Sequence, residues 1–178
     1  VTLQVTAHSY HLRHLIEEDR LLIAVDISAE HELAMLLTRR LTRNLVSAMA
    51  KMVADRAPQP GPIRDTVLDF EHSHAVATAM AEGHMREENR NPEQPKQLAA
   101  PLRLVQEVKL GPKKDGGVSL LFDNREQVLV IEISGDRMHM VIETFLQIAE
   151  RAGWDFPPIA SWLEGSKTVS VPQNRSLN

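Results

Sequence analysis

The chain has no cysteine. Disulfides, thiolate zinc sites, iron–sulfur clusters and a cysteine nucleophile are therefore excluded. Aromatic residues make up only 4% of its 178 residues, so the core must be built mainly from Leu, Val, Ile, Met and Ala. Neither sign of charge dominates. Against 24 acids stand 20 Lys and Arg, for a net charge of -4, so no strongly basic field exists to hold nucleic acid non-specifically. No apolar run approaches the ~20 residues needed to cross a bilayer. The first residues, Val1 to Leu15, lack the basic end and unbroken apolar block of a signal peptide. The resulting expectation is a cytoplasmic protein with no membrane partner and no cofactor. What is present is ordinary for a globular chain, with 43% apolar and 25% charged residues.

Hydrophobic periodicity divides the chain into two halves. Residues 3–8 alternate, with Leu3, Val5 and Ala7 against Gln4, Thr6 and His8, and the alternation persists through Tyr10, Leu12, His14 and Ile16. Residues 21–27 and 31–37 read as further strands. The turns at Glu17–Asp19 and Ser28–Glu30 are too short for anything but antiparallel pairing. At Thr38, a candidate N-cap, the period changes to helical and runs to Arg56, ahead of Pro58. Residues 57–63 form a Pro/Gly linker. Residues 64–85 read as a second helix whose stripe is Val67, Phe70, Ala77 and Met80. Residues 86–101 are polar with three prolines and are expected to be an exposed connector.

The same grammar then recurs. Strands are expected over 102–110, 118–122 and 127–133, with an Asp115-Gly116 hairpin turn between the first two. Both sides of 127–133 are apolar, which places it inside the sheet. A helix follows Ser134-Gly135-Asp136 and ends at Gly153, where a left-handed cap belongs. Residues 154–164 are expected to fold back on the core, and 165–178 to be a loose tail. The expected fold is α+β: one domain in which two antiparallel strand meanders are each followed by a covering helix, with a connector helix between them. Its parts are 1–57, 58–101 and 102–164, and the two strand sets are left open to forming one sheet or two.

Two resemblances attach to this pattern. The string Asp69–His74 (DFEHSH), set between a strand–TRRLTR–helix half and a half ending in AERAGW, resembles an uncharacterised family of proteobacterial proteins. That resemblance spans nearly the whole chain and implies no known activity. The order of four strands and a helix, taken twice, is similar to the Whirly and PUR-repeat folds, which bind single-stranded nucleic acid. No nucleic-acid motif matches residue by residue, and fold does not fix function.

Three groups of residues are candidates for chemistry. Arg39, Arg40 and Arg43 crowd the first turns of a helix, where cations oppose the dipole at about 0.3–1 kcal/mol each. Neighbouring carboxylates would offset that cost; otherwise the cluster is an anion or nucleic-acid site, which Lys113 and Lys114 would extend. Asp69, His72 and His74 are candidate metal ligands. On a helix, however, His72 and His74 lie roughly 200° apart and cannot share an ion. His8, His11 and His14 fit polar positions on a half-exposed sheet. No nucleophile motif is present.

Three function classes follow. The favoured one is a non-enzymatic interaction protein that self-associates or binds a protein partner, with Met138, Met140, Trp154, Phe156 and Trp162 as apolar contact surface. The second is single-stranded nucleic-acid binding through a sheet face and the arginine cluster. The third is a metal-dependent enzyme around Asp69, His72 and His74.

Overall fold

The computed structural model describes residues 3–82 and 96–164. The fold is α+β, with two four-stranded, mostly antiparallel sheets and helices. The first half runs β1 (Leu3–Ala7), β2 (His11–Leu15), β3 (Arg20–Asp26), β4 (His31–Leu37) and α1 (Arg39–Arg56). The connector helix is α2 (Gly61–Ala81). The second half runs β5 (Gln97–Leu98), β6 (Glu107–Pro112), β7 (Val118–Asp123), β8 (Gln127–Ile133) and α3 (Met138–Arg151), and a short α4 (Ser161–Glu164) closes the described chain.

The strand sets form two sheets, and the halves exchange a strand. One sheet has the order β1-β8-β7-β6 and the other β2-β3-β4-β5. The first strand of the first half lies parallel to β8, the last strand of the second half, with Val5 opposite Leu129. Reciprocally, β5 lies parallel to β4, with Glu32 opposite Leu98. The chain therefore bends at His8–Tyr10, between β1 and β2, and changes sheets there. Side-chain alternation did not reveal this, because an extended chain alternates whichever sheet it joins.

The second half departs from its expected bounds at one strand. Over 102–110 the only strand is β6, starting at Glu107. Before it, Leu104 makes an isolated parallel bridge to Leu36, with Val105 N–H donating to the Leu36 carbonyl at 2.8 Å. The expected connector is partly structured for the same reason, since Gln97 and Leu98 add to β4. Residues 83–85 of the expected second helix, 86–95 of that connector and the expected tail 165–178 lie outside the described residues.

Inward-facing rows from both sheets meet in one core. Ile23, Leu33, Met35, Phe122, Leu129 and Phe145 are all buried there. The helices α1 and α3 cover it. Thr38 caps α1 as its sequence position predicts, its Oγ1 accepting from the Leu41 N–H at 3.2 Å. The α3 helix ends at Gly153, whose φ of +69° suits glycine. Beyond it, Trp154 turns back, and its indole N–H donates to Asp19 at 2.6 Å. That bond, with the His14 ring, holds the Asp19 carboxyl below its ordinary pKa and ties 154–160 to the β2–β3 turn.

The two faces of β7 give a direct test of this layering. Phe122 points into the core with no exposure, whereas its neighbour Leu121 is on the outer face and half-buried. Phe122→Ala is expected to cost about 3–5 kcal/mol in urea denaturation, and Leu121→Ala less than half of that. Equal costs would show that the sheet is covered on both sides.

Candidate functional site

The α2 helix carries two different surfaces. Its inward face is Leu68, His72 and Ala79, all buried. His72 is 1% exposed, an unusual core residue. Its Nε2 lies 3.2 Å from Glu143 Oε2 on α3, and Glu143 is itself steadied by the Gln147 amide at 2.9 Å. The His72 ring packs against His139 on α3 and Trp162 on α4, with centroids 5.5 Å away in both cases. His139 and Trp162 are 5.6 Å apart, which closes a triangle of rings. The Nδ1 atoms of both histidines and Nε1 of Trp162 are buried without a hydrogen-bond partner. A cavity of about 240 Å³ adjoins the cluster, lined by Arg56, Gln59, Leu68, Glu71, Met138 and His139 among others.

Desolvation, and secondly the nearby His72, push the pKa of His139 down from 6.5 to about 4. A carboxylate–imidazole pair can orient a base. The expected metal residues are spread around the helix. His72 faces inward and Asp69 is half-buried, while His74 is exposed and stacks on Phe70 at 6.3 Å. Among the described residues no three His, Asp or Glu side chains stand where they could hold one metal ion.

The basic residues also separate. Arg39, Arg40 and Arg43 are exposed at the start of α1, and Arg39 donates to the Asp155 carbonyl at 2.9 Å rather than to a turn carboxylate. The Lys113–Lys114 hairpin meets the other end of α1, where Arg56 donates to the Gly116 carbonyl at 2.5 Å. At 1.5 Å per residue, about 20 Å of helix divides the two groups. Lys113 is also engaged, with Nζ 2.7 Å from Glu132. Phe122 on β7 is in the core, and Tyr10, just before β2, stacks on Phe145 at 6.3 Å. Neither is placed to stack on a base.

The exposed apolar residues are not those expected to form a contact surface. Met138, Trp154 and Trp162 are core residues. The large exposed side chains include Ile63 at 63%, Phe70 at 72% and Met80 at 55%, all on α2. Thus Phe70, Ala77 and Met80, expected to form the inward stripe, are turned to solvent. The helix has two apolar stripes, and the less apolar one is buried. Counting hydrophobicity alone picked the other. The available signal was the run Leu68, His72, Ala75 and Ala79, itself at helical spacing.

Compared with family models, curated proteins and solved structures, the chain matches none.

His139 sets an expectation for acid stability. Its folded pKa lies below its unfolded one, so between about 6.5 and 4 the unfolded chain binds the additional proton and stability falls as pH falls. Below about 4 this contribution is fully lost. His139→Gln should flatten the acid limb of thermal stability within that window. An unchanged slope would mean that His139 titrates as in the unfolded chain.

Proposed function

We propose that this protein is an interaction module that associates through the outward face of α2. One observation carries the reading: α2 is apolar on two opposite sides. A helix on the surface of a globular protein normally turns charge outward. Here the outward face holds Ile63, Val67, Phe70, His74, Ala77 and Ala81, and only Val67 among them is half-buried. Scattered exposed apolar residues need no explanation, but a continuous stripe marks a contact surface. The inward face already has its partners in α3 and α4, so the outward one is available for docking. Recognition in this mode is helix against helix, read through residues spaced three and four apart.

Phe70→Asp tests the reading. Phe70 is 72% exposed, so the variant should fold with a melting temperature within a few degrees of wild type while its surface loses apolar character. Dye binding to exposed apolar surface should drop in the monomer. A variant that fails to fold would place Phe70 in the chain's own core and end the proposal.

A further inference from the structure

We infer, resting on the docking role given above, that the occupant of the α2 face is α2 of a second copy of this chain, running antiparallel. The spacing supplies the first support. Ile63, Val67, Phe70, His74, Ala77 and Ala81 follow one another at four, three, four, three and four residues. That is the alternating four-and-three step of a seam between two packed helices. At 1.5 Å per residue the seam runs about 27 Å.

Side-chain size fixes the direction. The bulky residues Ile63, Val67 and Phe70 occupy the N-terminal half, and the alanines occupy the C-terminal half. A parallel pair in register would set Ile63 against Ile63 and Ala77 against Ala77, so it would be crowded at one end and empty at the other. An antiparallel pair sets Ile63 against Ala81, Val67 against Ala77, and Phe70 against His74. Each layer then has one large and one small member except the central one. There the Phe70–His74 stack already present in each copy would meet its symmetry mate in a four-ring cluster. Packing of this even kind matches protein interiors.

Charge agrees at the ends and opposes at the centre. On one flank of the seam lie Arg64, Glu71 and Glu82. The antiparallel register sets Arg64 of each copy, which pairs with its own Asp65 at 3.6 Å, opposite position 80 of the other and within two residues of Glu82, twice by symmetry, and it also opposes the two helix dipoles favourably. The two Glu71 side chains approach near the dyad, a like-charge contact that added salt relaxes. Outside the described residues, 1–2 and 165–178 hold the apolar side chains Val1, Val169, Val171 and Leu177. Residues 83–95 hold one large apolar side chain, Met85.

Because the chain has no cysteine, the register can be read by cross-linking. Val67→Cys and Ala77→Cys would be made as separate proteins and oxidised alone and mixed. A disulfide needs Cα atoms within about 7 Å. In the antiparallel register positions 67 and 77 of different copies meet, whereas like positions are about 15 Å apart along the axis. The mixture should therefore give cross-linked dimer, and each protein alone at least tenfold less. Wild type should sediment as a dimer at 100 μM, and Phe70→Asp as a folded monomer. Equal cross-linking of the single proteins, a monomeric wild type, or a Phe70→Asp dimer would each overturn the antiparallel pair. If wild type is monomeric yet Phe70→Asp keeps its melting temperature, only the choice of occupant fails. If Phe70→Asp unfolds, the docking role fails with it.

Discussion

A helix with apolar side chains on opposite faces can remove both from water only by lying between two bodies. The α2 helix is under that constraint. Its inner side is satisfied by α3 and α4 through Leu68, His72 and Ala79. Its outer side presents Ile63 and Phe70 to solvent, and each fully buried side chain of this kind is worth roughly 1.5–3 kcal/mol. Association through this face, as proposed, would recover that free energy without rebuilding the fold. The rest of the molecule supplies the frame on which the helix sits. The reciprocal exchange of β1 and β5 between sheets interlocks the halves, and one continuous core joins α1 and α3 beneath α2.

Buried His72 and half-buried His139 belong to the same economy of position. His72 reaches Glu143 across the α2–α3 contact and packs on His139 and Trp162. Three rings fill the space that branched aliphatic residues fill elsewhere in the core. Partial burial disfavours the charged form of the His139 ring and, with the nearby His72, lowers its pKa. The polar contacts also specify how α2 sits, since a slide along α3 would strand a carboxylate and an imidazole together.

Much of the fold was legible in the sequence because local rules governed it. Thr38 capped α1, Asp115-Gly116 turned a hairpin with Gly116 at φ +82°, and the doubly apolar β8 lay inside its sheet between β1 and β7. What was not legible depended on distant partners. Alternation in β1 and β2 was correct, but their assignment to different sheets is a tertiary choice. The facing of α2 was misjudged because Phe70 outweighs His72 in any hydrophobicity count, while the site on α3 and α4 that receives an imidazole is invisible in α2's own residues. Likewise, Arg39 and Lys113 look like one basic patch until the length of α1 is set between them.

The most direct measurement is hydroxyl-radical footprinting of Phe70 and Ile63 across a dilution series, read by mass spectrometry. With the outer face of α2 open in the single molecule and covered in the pair, both residues should oxidise readily at low concentration and become protected as concentration rises. Leu68 should stay protected throughout. Protection of Phe70 at every dilution would mean the chain covers that face itself, and unchanged oxidation at every concentration would mean that no second copy does; either result contradicts the account.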